Sequence, residues 1–154
     1  MNETRPNGPL EEAAARIRAS GLRVTRPRTL AYALLLEVGG HRSVDELVGL
    51  LAARDEPVSR MSVYNVVADL TRAGLLMCAE IGPGRALYEA NDEWHHHFVC
   101  RRCYRVTDVH CITGSKPCIE PPADFPGTAD EAQVTFRGIC DDCAADAFPQ
   151  RTNA

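Results

Sequence analysis

Two Cys-x-x-Cys pairs, Cys100-Arg101-Arg102-Cys103 and Cys140-Asp141-Asp142-Cys143, stand 36 residues apart in a chain of 154 residues. No other feature constrains the fold as much. Each pair presents two thiolates from one tight turn, and two such turns complete a tetrahedral four-cysteine zinc site, so the two segments must meet in space. A self-contained zinc ribbon uses a shorter insert, which points to a metal stapling the end of a domain. The redox alternative, a thioredoxin-like dithiol, wants its first cysteine at a helix start after a βαβ strand, and nothing before Cys100 has that pattern. Seven cysteines are an odd number for a secreted disulfide framework, and metal binding is the default reading in a reducing compartment. With no signal-peptide core after Met1 and no apolar run near the roughly 20 residues of a bilayer span, a cytoplasmic protein without a membrane partner is expected. Cys78 reads as packing in an apolar strand. Cys111 and Cys118, in a loop-like stretch, could pair or ligate and receive no assignment.

The net charge of −4 does not announce a nucleic-acid partner. Its distribution is uneven: up to Tyr88 there are 11 basic and 10 acidic residues, and after it 6 and 11. Cysteines divide the same way, with only Cys78 in the first part. Two small domains are therefore expected, 1–88 and 89–154.

Helical periodicity fills the first part. Leu10, Ala13, Ala14 and Ile17 form one stripe, ending near Gly21. Thr25 can cap a second helix with Pro27 in its first turn, carrying Leu30, Ala31, Leu34, Leu35 and Val38 to Gly39-Gly40. Ser43-Val44-Asp45-Glu46 is a capping box for a third, whose Leu47, Leu50 and Leu51 face inward. Ser59 can cap a fourth with Val63, Val66, Val67 and Leu70 inward and Ala73-Gly74 as its stop. Leu75–Cys78 and Arg85–Tyr88 then read as strands of a hairpin around Gly82-Pro83-Gly84. Helices closed by a two-stranded hairpin are the order of a winged helix-turn-helix, whose last helix enters the major groove.

Local positive charge accompanies that order. Arg16, Arg18, Arg23, Arg26 and Arg28 fall in a stretch with no acid, and Arg23, on a turn, could reach a minor groove. On the fourth helix Arg60 can donate to guanine, Ser62 can bond base or phosphate, and Tyr64 can pack on a thymine methyl.

His95, His96 and His97 directly precede the first cysteine pair. If they continue a strand, His95 and His97 share one face and His96 takes the other. With Glu89 upstream and Asp108 downstream they make a mixed N/O donor set, suited to Fe(II), Mn(II) or zinc. His41 stands alone by spacing. A small zinc hydrolase with Glu89 as general base is the enzymatic alternative, but no substrate-pocket signal accompanies it.

Taken together, Gly21-Leu22-Arg23-Val24-Thr25-Arg26-Pro27-Arg28, His41, Ser62-Val63-Tyr64-Asn65, Leu87-Tyr88-Glu89, the histidine run and the cysteine pairs resemble the ferric uptake regulator (Fur) family of metal-dependent bacterial repressors. The likeness covers roughly residues 10–145 and is nearest the actinobacterial FurA/CatR-like, peroxide-responsive (PerR-like) branch. It implies an α+β chain: an N-terminal winged helix-turn-helix domain followed by a small α/β dimerisation domain with a four-cysteine zinc site. It implies structural Zn(2+) on Cys100, Cys103, Cys140 and Cys143, and regulatory Fe(2+) or Mn(2+) on His41, Glu89, His95, His97 and Asp108. DNA contacts fall at Arg23 and Tyr64, beside Arg60 and Ser62 from the helix reading. The implied protein is a homodimer on a palindromic double-stranded operator, controlling catalase-peroxidase or iron-homeostasis genes, and it is not an enzyme. A zinc- or manganese-sensing repressor of the same family is the alternative. Asp108 resembles the peroxide-sensing branch and Glu89 the iron-sensing one. Some members build a further metal site on the residue before the histidine pair, where this chain has Trp94, and Asn65 replaces an arginine that some members use on DNA.

Overall fold

The computed structural model describes residues 8–90 and 93–147. Chain contacts divide it into two compact units, Met1–Asp92 and Glu93–Ala154.

The first unit holds α1 (Pro9–Ala19), α2 (Arg26–Val38), α3 (Val44–Ala52) and α4 (Arg60–Arg72), then a hairpin of β1 (Met77–Gly82) and β2 (Arg85–Glu89). The helices bury the expected stripes except Leu10, which is exposed in the first turn of α1: Ile17, Leu34, Leu35, Leu47, Leu51, Val63, Val67 and Leu70 meet in one core with Tyr32. The capping box is present in full, with the Ser43 side chain accepting from the Glu46 N–H and the Glu46 carboxylate reaching back to the Ser43 N–H. Ser59 caps α4 by accepting from the Ser62 N–H.

Two local expectations fail. Thr25 makes no side-chain cap bond; its carbonyl instead accepts from the Thr29 hydroxyl at 3.0 Å. The hairpin begins at Met77 rather than Leu75, because the residues after α4 close that helix. Gly74 sits at φ +73, its N–H bonds the Thr71 carbonyl, and the Leu75 N–H bonds the Leu70 carbonyl at 2.9 Å. That is a Schellman closure, and it turns Leu75 and Leu76 onto the helical core before a strand can start.

The second unit is a three-stranded sheet of order β4-β3-β5 followed by a short helix, α5 (Asp141–Ala147). β3 (His95–Cys100) lies in the middle, antiparallel to β4 (Val106–His110) and parallel to β5 (Thr135–Gly138). Gly138 sits opposite Cys100, and a side chain there would meet the Phe98 ring, since a Cβ would lie 3.1 Å from it. Residues 111–134, between β4 and β5, contain no helix or strand.

Candidate metal centres and nucleic-acid surface

Central position in the sheet brings the cysteine pairs together. Cys100 ends β3, and the chain reverses through Tyr104, at φ +60, whose N–H returns to the Cys100 carbonyl at 2.9 Å. Parallel β5 delivers Cys140 to the same end, and Cys143 follows in the first turn of α5. The four sulfurs lie within 4.8 Å of one another, with Cys103 and Cys140 3.8 Å apart. The Arg101 N–H bonds the Gly138 carbonyl at 2.7 Å and the Arg102 guanidinium the Cys143 carbonyl at 2.7 Å, locking the two turns together.

The electrostatics of this cluster fit a bound cation. Backbone N–H groups of Cys103 and Cys140 point at the Cys100 sulfur and lower its pKa to about 6. Cys143 is pushed up to about 12, first by its contact with the Cys140 sulfur and then by burial, so it holds a proton among crowded sulfurs. A tetrahedral Zn²⁺ replaces such protons, and the N–H groups remain as its outer support. These residues fit a structural zinc.

The histidine run splits as strand alternation requires, and all three rings are buried on the central strand of the sheet. The carbonyl of Glu93 can only accept, so His95 Nδ1, 2.9 Å away, carries its proton and Nε2 is left with a lone pair. That Nε2 faces His97 Nε2 at 3.2 Å and an Asp108 carboxylate oxygen at 3.7 Å. Asp108 reaches this place because it pairs with His97 in the β3–β4 register. A lone pair, an imidazole nitrogen and a carboxylate converging on one spot make a half-built N/O metal site.

In the first unit, His41 and Glu89 form a donor pair of their own. Arg42 and Tyr88 exchange both backbone hydrogen bonds, at 2.9 and 2.8 Å, as an isolated antiparallel bridge. Their neighbours His41 and Glu89 thus stand opposite each other, with Nε2 3.2 Å from the carboxylate and Glu89 buried at the end of β2. Sequence spacing alone left His41 isolated; the bridge explains its position.

The DNA candidates all lie in the first unit, on the α1–α2 turn and at the start of α4. Arg23 is exposed on the α1–α2 turn. Other members of the arginine run make contacts within the unit: Arg16 with Glu12, Arg26 with Glu56, and Arg28 with Asp69 at 2.6 Å. At the start of α4, Arg60 pairs with Asp45 at 3.1 Å and lies over the exposed Tyr64 ring, while Ser62 belongs to the cap, its hydroxyl accepting from Ser59 at 2.8 Å. Sequence reasoning also left Cys111, Cys118 and His96 without an assignment, yet their donor atoms meet in a third group. Its signal was the second pair of cysteines next to a buried-strand histidine.

A helical unit ending in a β-wing, followed by a sheet unit carrying a four-cysteine cluster and a buried N/O donor set, defines a metal-dependent DNA-binding regulator. The chain belongs to the ferric uptake regulator family, whose model matches residues 19–115. It is 36% identical to the transcriptional regulator FurA of Mycobacterium tuberculosis over 136 residues, covering 88% of this chain and 92% of that protein. It is 24% identical to the peroxide-responsive repressor PerR of Staphylococcus epidermidis, over 87% and 89% of the two chains. The fold matches the ferric uptake regulator of Pseudomonas aeruginosa with manganese, at a TM-score of 0.69 and 24% identity over 84% of this chain and 98% of that one. The first unit is thus the DNA-binding region and the second the dimerisation domain of the Fur fold. Fur-family regulators bind DNA operators as dimers and are not enzymes, which removes the hydrolase alternative. Among the described residues no helix is long and apolar enough to cross a membrane.

Proposed function

We propose that this chain is a cytoplasmic, homodimeric repressor that holds a palindromic operator when Fe(II) or Mn(II) occupies its regulatory site and releases it on peroxide exposure or iron loss. The observation that carries this reading is the His95 ring: Glu93 fixes its tautomer so that Nε2 offers a lone pair toward His97 and Asp108. His95, His97 and Asp108 would act with His41 and Glu89 on one ion. Five N/O donors exceed the four that zinc takes in structural sites and suit Fe(II) or Mn(II). When bound, the ion supplies positive charge to the carboxylates and, as Fe(II), reactivity toward peroxide at the neighbouring imidazoles. Similarity to FurA and to a peroxide-responsive repressor supports control of catalase-peroxidase or iron-homeostasis genes. Arg23, Arg60, Ser62 and Tyr64 would contact the duplex.

Anaerobic titration of operator binding with Fe(II), Mn(II) and Zn(II), followed by peroxide, tests this. Fe(II) and Mn(II) should restore binding to chelated protein, and peroxide should abolish it only with Fe(II). His95→Ala should lose the response. Binding restored by zinc alone would make the protein a zinc sensor, and binding indifferent to every metal would end the proposal.

A further inference from the structure

We propose that His96, Cys111 and Cys118 form a third metal site, which takes a zinc-class divalent ion and pins the segment after β4 to the central strand. The three donor atoms lie within 4.8 Å of one another, with Cys118 Sγ 3.2 Å from His96 Nε2. None belongs to the other two groups. Alternation along β3 turns His96 away from His95 and His97, so the site lies on the opposite face of the strand from the N/O set.

The donors set the ion's class. Two thiolates and one imidazole are soft and borderline ligands, which select zinc over the harder Fe(II) and Mn(II). Three protein ligands leave one tetrahedral position for solvent. The His96 ring is already oriented, its edge against Trp94, whose indole lies under the Lys116 ammonium at 4.0 Å. The Val134 N–H donates to Nδ1 across a long 3.4 Å, and an ion on Nε2, which needs the ring proton on Nδ1, would displace that weak bond.

The surrounding chain calls for such a staple. Residues 111–134 have no regular structure, and within the chain only Cys111 among them is buried, whereas Ile112 and Ile119 are exposed. A stretch of that length seldom keeps one conformation without a cross-link or a core of its own. A disulfide between Cys111 and Cys118 would close the loop only on itself and has no use for His96. An ion uses all three residues and ties the loop to the sheet.

Cobalt substitution of the full chain under anaerobic conditions tests the site. Thiolate-to-Co(II) charge-transfer absorption counts coordinated sulfurs and is blind to the N/O set, which has none. The unaltered protein should saturate this band at two equivalents on sulfur, with the intensity of six thiolates. His96→Gln, which removes no thiol, and Cys118→Ser should each lower it by about a third, to the four of the other centre. Saturation at one equivalent, equal intensity in all three proteins, or a Cys111–Cys118 disulfide in anaerobically purified protein would overturn the proposal. If a variant fails to fold, the saturation point of the unaltered chain decides.

Discussion

Stripping structural zinc from the full chain should unfold the second unit and leave the first folded. The reason is the composition of the two interiors. In the first unit Ile17, Leu34, Leu35, Leu47, Leu51, Val63, Val67 and Leu70 form an ordinary hydrocarbon core. In the second, the buried residues among those described are Val99, Cys100, Cys111, Cys143 and the three histidines. Val99 is the only hydrocarbon side chain among these, and burying it contributes about 1.5–3 kcal/mol. A structural zinc on thiolates contributes roughly 10–16 kcal/mol of apparent binding free energy at neutral pH. Whole domains are stable by only about 5–15 kcal/mol, so loss of the ion removes an amount comparable with the entire margin of the unit that carries it.

Hydrogen exchange followed by mass spectrometry, with and without a strong chelator at pH 7.5, resolves the two units. Amides of β3, β4 and β5 should lose their protection after chelation, while those of α2 and α4 keep theirs. Protection of β3 retained in metal-free protein would show that the sheet stands without its ion and refute the reasoning. Loss of protection in α2 as well would show that the helical unit depends on the metal, contrary to the separate core described above.

Leu47→Ala removes a fully buried side chain of α3 and should destabilise the helical unit by about 2–5 kcal/mol in urea unfolding, without changing zinc content. Arg23→Ala should weaken binding to all duplexes alike and flatten the salt dependence of log K by about one unit; a loss confined to one sequence would instead mark base readout. Zinc retention should depend on pH with a definite sign. The Cys100 pKa is lowered from 9.0 to about 6 in the folded protein, so its contribution is complete above pH 9, partial at neutral pH, and lost as pH falls through about 6. Because protons compete with the ion for the thiolates, zinc retained after desalting should decline as the pH is lowered from 7.5, and retention that does not fall at any acidic pH would contradict the assignment.

The helical half was legible because its signals are local. The Ser43–Glu46 capping box, the Ser59 cap and the apolar stripes each act within a few residues, and apart from the exposed Leu10 each formed as its spacing implied. Leu75 and Leu76 misled because strand propensity competed with helix closure and lost to the bond that Leu75 makes to Leu70. The four-cysteine cluster was readable from its spacing, since two turns that share an ion must coincide. His41 was not readable in that way: its partner Glu89 is brought opposite by the Arg42–Tyr88 bridge, a long-range pairing that leaves no periodicity in the sequence. His96 was hidden for a related reason. Alternation predicts which face it takes, but not that residues 111–118 fold over that face, because irregular chain has no pattern from which to infer its path.

The proposed switch has an energetic requirement that the placement of these donors makes concrete. In the proposed switch His41 and Glu89 come from the first unit and His95, His97 and Asp108 from the second, so neither unit alone holds the five proposed donors. An ion that needs both groups stabilises only conformations in which they are apposed. Moving such a population from 1:99 to 99:1 takes about 5.5 kcal/mol, or roughly a 10⁴-fold preference for one state. By mass action, free metal at about a hundred times its dissociation constant contributes only about 2.7 kcal/mol. An all-or-none response therefore needs either an ion concentration far above that constant or an operator that adds its own preference for the apposed dimer. Operator and metal then strengthen each other's binding by the same factor, as linkage demands. Measuring metal affinity with and without the duplex separates the two cases: equal affinities would mean that the ion does not act through the DNA-binding state at all.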